Sequence, residues 1–248
     1  MTAPDDLSAL GDKPFSDAVV KFEELLAQSG RAFLIGAGCS VCAGLPLTAT
    51  LTQEALKSVA LDDKTKAILT AIRDLFAGAP DANIEDYLSE LIDLLAIADR
   101  RTSRGATQKV INLGKASYSE ADLRTAADQI KRGIAAVIEK KVSIETHQNF
   151  VRALHRPLRP GKSTSGQAVD YFVLNYDTVL EDALALERIP FADGLDGGVT
   201  GWWSPETFDR DGLAARVYKL HGSINWCEFP GDPLPRRVGD RLQIAVAN

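Results

Sequence analysis

The sequence predicts an α/β fold, a Rossmann-like parallel sheet with a large helical insertion. The apolar run at Ala32–Ile35, bounded by glycines, is typical of a strand that is buried on both faces. Two further strands are predicted at residues 171–174 and 216–220. From about residue 48 to 155 apolar residues recur at helical spacing, over far more residues than a plain βαβ crossover needs. This block is therefore predicted to be an insertion beside the sheet.

Composition excludes several classes of protein. The 248 residues are 45% hydrophobic and 25% charged, which is the balance of an ordinary globular protein. Lys and Arg total 28 against 34 for Asp and Glu, and this acidity argues against direct nucleic-acid binding. The densest apolar stretch, residues 91–98, is interrupted by Asp93, so no membrane span is expected.

Cysteine usage and the first residues indicate a cytoplasmic protein. The three cysteines are too few for a disulfide framework, and the first twenty residues are acidic where a signal peptide would be basic and then apolar. Cys39 and Cys42 form a C-x-x-C, but a zinc site would need a second pair. No metal is therefore predicted, and both cysteines are interpreted as packing residues.

Several flanking elements are also predicted. Residues 15–29 have helical periodicity and stop at Gly30, and Thr178 and Glu181 have the spacing of a capping box for the helix after the second strand. The segment 156–167 is interpreted as a solvated loop, and a last strand is predicted at residues 242–246.

Each predicted strand is followed by a motif that can carry chemistry. These motifs are GAG at residues 36–38, NYD at 175–177 and HG at 221–222. In open α/β sheets ligands bind at the carboxyl ends of the strands, so we expect the three motifs to meet in one crevice.

Taken singly, each motif has a structural interpretation as well as a functional one. The GAG turn lacks the third glycine of a dinucleotide fingerprint, and phosphate binding and a tight turn are equally compatible with it. His147 and His155 lie in the helical block and are interpreted as surface or half-buried polar residues. His221 differs, because it ends a predicted strand beside the NYD motif.

Together, the three segments resemble the sirtuin superfamily. GAGCSVCAGLP at residues 36–46 is similar to the sirtuin phosphate and nicotinamide loop, NYD to its Asn-x-Asp, and LHGS at 220–223 to its catalytic His-Gly. The order of the motifs along the chain agrees with that family. The resemblance covers the sheet elements and not the helical block.

Within that superfamily the sequence is closer to the sirtuin-like NAD hydrolases of bacterial antiviral systems than to protein deacylases. The Asp-Phe-Arg that follows the loop in deacylases is replaced by residues 47–49, Leu-Thr-Ala, and the glutamine before Asn-x-Asp is Leu174. The two C-x-x-C pairs of the deacylase zinc ribbon do not follow His221.

For the phosphate loop, the resemblance implies that NAD is bound as substrate. Gly36, Ala37, Gly38 and Ser40 would hold the pyrophosphate and the adjoining ribose, and Pro46 would shape the nicotinamide pocket.

For the other two motifs the resemblance implies the catalytic roles. Asp177 would accept hydrogen bonds from the nicotinamide carboxamide, and Asn175 would hold the ribose and position the attacking water. His221 would be the general base, a task that suits an imidazole, while Gly222 and Ser223 would also contact NAD.

The resemblance further implies a biological setting. The expected protein is a single NAD-hydrolysing domain over residues 1–248, with sheet elements in 31–47 and 168–248 and an insertion at about 48–155. It is expected to be the N-terminal part of a longer protein, an oligomer, and a NAD-depleting effector of antiviral defence triggered by an ATPase or Argonaute-like partner. An NAD-dependent deacylase and a non-catalytic NAD-sensing or ADP-ribose-sensing subunit remain alternatives.

Overall fold

The computed structural model describes residues 12–26, 30–78, 81–155, 168–229 and 231–237. The predicted loop at 156–167 and the predicted strand at 242–246 lie outside the described residues. The chain divides into two compact units, one formed by residues 1–36 with 144–248 and the other by residues 37–143.

Most α-helices of the described chain precede residue 156, and most strands follow it. The α-helices are α1 Lys13–Leu26, α2 Thr48–Leu56, α3 Asp63–Leu75, α4 Ile84–Ser103, α5 Glu120–Ile138, α6 Glu145–His155 and α7 Val179–Leu186. The strands are β1 Ala32–Ile35, β2 Ile111–Leu113, β3 Ala116–Tyr118, β4 Val169–Val173, β5 Phe191–Ala192, β6 Leu195–Asp196, β7 Trp202–Trp203, β8 Ala215–Lys219, β9 Trp226–Phe229 and β10 Asp232–Arg237.

A four-stranded parallel sheet organises the first unit. Its order is β1-β4-β8-β5, and every neighbouring pair is parallel, which confirms the predicted Rossmann-like α/β class. On one face, Tyr171, Val173 and Val217 form a core with Val151 and Leu154 of α6 and with apolar residues of α7.

The expectation that β1 is buried on both faces is wrong. Leu34 is 69% exposed, and Phe172, its partner on β4, is 37% exposed. β1 is an edge strand, and the described helices α6 and α7 pack their apolar residues into the core on the opposite face. The apolar run therefore predicts the strand correctly but not the burial of both its faces.

The second unit is mostly helical. Its α2, α3, α4 and α5 pack around fully buried side chains that include Ile68, Ile84, Leu91, Leu123 and Ile130. The antiparallel hairpin β2–β3 interrupts this helical stretch and was not predicted, because its strands are only three residues long.

A small antiparallel sheet, in the order β6-β7-β10-β9, completes the first unit. Neither β9 nor β10 was predicted from the sequence, and β10 contains prolines at positions 233 and 235, which argue against a strand. The ladder between β9 and β10 shifts register between Asp232 and Arg236, so these prolines lie in an irregularity where a missing N–H costs no ladder bond.

The two histidines of the helical block have structural roles in the first unit. His147 is buried, where a surface or half-buried position was predicted, whereas His155 is half-buried as expected. The Nε2 atom of His155 lies 2.8 Å from the hydroxyl of Tyr171, and burial followed by the charge of Arg31 lowers the pKa of His155 to about 4.

We expect His155 to make the protein less stable in acid. The unfolded imidazole titrates near 6.5, so the unfolded chain takes up a proton that the folded chain excludes as the pH falls from about 6.5 to 4. Denaturant unfolding of the wild type and His155→Gln at pH 7 and pH 5 should show a smaller pH effect in the variant. Equal pH effects in the two proteins would contradict this assignment.

A second prediction concerns the packing of Trp203, which lies between Phe208 and Trp226 with ring centroids 6.4 and 6.3 Å away. A Cβ added at Gly194 would lie 2.5 Å from the Trp203 ring, whereas one at Gly198 meets no described atom within 4 Å. Both glycines have positive φ, so the backbone strain of an alanine is shared. Gly194→Ala should lower the free energy of unfolding by about 1–3 kcal/mol more than Gly198→Ala. Equal losses in urea denaturation would refute the proposed crowding.

Candidate functional site

The sheet register brings three motif-bearing strand ends to one edge. Ile35 pairs with Val173, and Val173 pairs with Lys219, so β1, β4 and β8 end at the same level. The ladder continues for one more residue, because Leu174 N donates to Ile35 O and Leu220 N to Val173 O, both at 2.9 Å. Gly36, the NYD motif and the HG motif therefore all begin within two residues of this edge.

The NYD motif forms the turn between β4 and α7. Asn175 and Asp177 are both buried, although they lie just beyond the end of a strand. Asp177 Oδ1 accepts a hydrogen bond from Val179 N at 3.1 Å, which satisfies one of the exposed amides at the start of α7. This bond fixes the direction of the Asp177 carboxylate.

The predicted capping box at Thr178 and Glu181 is wrong. The Thr178 hydroxyl donates to Asp182 Oδ2 at 2.9 Å instead of accepting from the helix backbone. Asp177 caps the helix in its place, and the side chain of Glu181 turns into the interior.

The HG motif lies in a turn rather than at the end of a strand. The strand β8 stops at Lys219, so His221 stands two residues beyond it and is exposed. Gly222 follows with φ at +77°, a conformation that favours glycine, and allows the chain to turn back at once. The imidazole is thereby presented at the sheet edge.

The two turns are joined through the backbone of Tyr176. Its carbonyl oxygen accepts hydrogen bonds from Ile224 N at 2.9 Å and from the Ser223 hydroxyl at 3.3 Å. The rings of Tyr176 and His221 lie 6.3 Å apart and are tilted by 38°. Asn175, Asp177 and His221 thus belong to one connected arrangement, in which Tyr176 has a part that the sequence did not reveal.

A buried lysine lies directly behind these turns. The side chain of Lys219 is 1% exposed, and its Nζ donates to the backbone carbonyl of Asp177 and lies 3.2 Å from Glu181 Oε1. Sequence reasoning missed Lys219, although Ala215 and Val217 share its inward side of β8 and strand alternation could have placed it there.

The remaining predicted residues, Ala37, Gly38, Ser40 and Pro46, belong to the second unit. A 3₁₀-helix spans Ala37–Ala43, in which Ser40 is buried and Gly38 exposed, and Pro46 is half-buried. The backbone folds back beyond this helix, because Leu45 N donates to Ser40 O at 3.2 Å.

The interpretation of the two cysteines of this segment as packing residues is wrong. Both Cys39 and Cys42 are exposed, and Cys42 Sγ donates to the backbone carbonyl of Cys39 at 3.1 Å. A 3₁₀-helix places residues i and i+3 above one another, so both thiols lie on the same outward side.

Metal-binding clusters and membrane-spanning helices can also be considered for the described residues. No cluster of three or more His, Cys, Asp or Glu side chains that could hold a metal ion is found among them. Over the same residues, every helix is too short or too polar to cross a membrane.

Part of the chain matches a family of known proteins. Residues 170–237 match the family described as a SIR2-like domain, and this segment contains the NYD turn, Lys219 and the HG turn. A comparison with curated proteins gives no match. The match over residues 170–237 supports membership of the sirtuin-like superfamily.

Proposed function

We propose that the protein hydrolyses NAD at the nicotinamide–ribose bond and releases nicotinamide and ADP-ribose. The SIR2-like domain indicates an NAD-related activity. The observation that carries the finer proposal is the connection of the NYD and HG turns through the Tyr176 carbonyl, which groups an amide, a carboxylate and an imidazole at one sheet edge. These three groups are what cleavage of an N-glycosidic bond by water requires.

In the proposed reaction a water oxygen bonds to the ribose carbon as the carbon–nitrogen bond breaks. The bonding electron pair passes to the nicotinamide ring, which leaves as a neutral molecule, and the proton of the water passes through His221 to solvent. Asn175, which is buried just beyond the end of β4, would hold the ribose and orient the water. Asp177 would accept a hydrogen bond from the carboxamide.

The charge of the site suits this reaction. The ribose passes through an oxocarbenium-like state, which prearranged polar groups stabilise without reorganising. Asp177 contributes a carboxylate whose direction is set by Val179 N. The exposed position of His221 leaves its imidazole accessible to a ribose hydroxyl or to water.

The other NAD contacts are proposed from the sirtuin resemblance. Gly36, Ala37, Gly38 and Ser40 would bind the pyrophosphate and its ribose, with Pro46 beside the nicotinamide. Gly222 and Ser223 would contact NAD from the HG turn. The Ser223 hydroxyl already donates to Tyr176 O, so its contribution would be to shape this turn.

The same resemblance supports a biological role. We propose a cytoplasmic, oligomeric effector that depletes NAD in antiviral defence and is controlled by an ATPase or Argonaute-like partner. A NAD hydrolase working at full rate would deplete NAD in its own cell, so the proposal gives the isolated protein a low basal activity that the partner raises. The single NAD-hydrolysing domain over residues 1–248, with its helical insertion, is proposed on the same basis.

The activity is tested by chromatography of NAD incubated with wild type, His221→Ala and Asn175→Ala, with and without an acetyl-lysine peptide. Wild type should give nicotinamide and ADP-ribose in both cases. Either variant should lose about 10²-fold or more in rate, because His221→Ala removes the positioned base and Asn175→Ala removes the group that orients the water. His155→Gln is the matched control at neutral pH, since it removes an imidazole that pairs with Tyr171 inside the core.

Three results would contradict this proposal. Full activity of His221→Ala would exclude His221 as the base. Product only in the presence of the peptide, with an acylated ADP-ribose, would favour a deacylase. Stabilisation of the protein by NAD without any product would favour a sensing subunit.

A further inference from the structure

The burial of Lys219 requires an explanation that packing does not supply. This residue ends β8 and points to the same side as Ala215 and Val217, both of which are fully buried. A buried ammonium group is costly unless it is paired and hydrogen-bonded. An apolar side chain of similar length would fill the same space without that cost.

The partners of Lys219 lie at two points of one strand–turn–helix segment. Its Nζ donates to the carbonyl oxygen of Asp177 in the turn, and it pairs with Glu181 Oε1 in the first turn of α7 at 3.2 Å. Burial raises the pKa of Glu181, while the charge of Lys219 opposes that rise. Lys219 and Glu181 therefore stabilise each other's charged side chains in the interior.

The geometry points to Lys219 as a positioning residue for the NYD turn, with Glu181 holding its ammonium group in place. This inference rests on the proposed function for its catalytic consequence. Lys219 is bonded to the backbone of Asp177 and precedes His221 by two residues, so it links the turn that carries the carboxylate to the turn that carries the base. The Tyr176 carbonyl makes a second link between the same two turns.

The hydrogen bond from Lys219 to Asp177 O requires a donor at position 219. A variant that keeps the packing but lacks this donor therefore tests the positioning role apart from the packing. Lys219→Met alone leaves Glu181 buried without its cation and is expected to destabilise the fold. The double variant Lys219→Met/Glu181→Gln replaces the pair by neutral groups of similar size. It should recover most of the lost melting temperature and still lack a donor to Asp177 O.

The test compares Lys219→Met, Glu181→Gln and the double variant with wild type. Amide hydrogen exchange at Val179 and Ile224 reports the two bonds of the turns, Val179 N to Asp177 Oδ1 and Ile224 N to Tyr176 O. Both amides should exchange about tenfold faster in the double variant, while the β4 amides keep the wild-type rate. NAD cleavage should fall by about 10–10²-fold in kcat/KM, and inhibition by added nicotinamide should weaken.

The matched control is a second ion pair of the first unit, between Arg237 and Asp193. Its side chains are 22% and 12% exposed, and it joins β10 to the segment before β6. Arg237→Met/Asp193→Asn should alter stability without changing exchange at Val179 and Ile224 or the rate of NAD cleavage.

The possible outcomes test the positioning role, its catalytic consequence and the proposed function separately. Wild-type exchange at Val179 and Ile224 in a folded double variant would overturn the positioning role, whether or not the protein cleaves NAD. Faster exchange with unchanged NAD kinetics would overturn the catalytic consequence. Absence of NAD cleavage in the wild type would refute the proposed function and leave the exchange result to judge Lys219 by itself.

Discussion

The parallel register of β1, β4 and β8 is the constraint on which the site depends. Because the three strands end at one level, the residues that follow them share one edge of the sheet. A slip of one residue in any strand would reverse which side chains face the core, and it would separate the turns from one another. The core formed with α6 and α7 stabilises this register, because the inward-facing side chains of Tyr171, Val173 and Val217 pack into that core.

The turns beyond the sheet are held by polar contacts rather than by apolar packing. Tyr176 offers its carbonyl to the HG turn, Asp177 caps α7, and Lys219 reaches the Asp177 carbonyl from behind. Buried polar networks of this kind are specific because a partly satisfied network is costly. The arrangement can therefore hold the Asp177 carboxylate and the His221 imidazole on neighbouring turns while leaving His221 exposed. The hydrogen bonds that stabilise the turns thus also set the positions of the candidate site residues.

Much of the fold and the centre of the site could be predicted from sequence. The apolar run of β1 and the glycine, NYD and HG motifs after the strands are local signals, and the fold class follows from them. Contacts that depend on pairing between distant segments were not accessible. The prolines of β10 argue against a strand, and they are tolerated because the ladder with β9 shifts register there. Glu181 has the spacing of a helix cap, but its side chain pairs with Lys219 of β8 in the interior. The outward position of Cys39 and Cys42 depends on a 3₁₀-helix, which the glycine-rich sequence does not predict.

The most direct test of NAD hydrolysis is the mass of the product formed in water labelled with oxygen-18. After a short incubation with the wild-type protein, released nicotinamide should be accompanied by ADP-ribose that carries one heavy oxygen from the solvent. Unlabelled ADP-ribose incubated in the same water measures any exchange without the enzyme. Unchanged NAD, or nicotinamide released together with a cyclised or transferred ribose that lacks the label, would contradict attack by water at the edge formed by Asn175, Asp177 and His221.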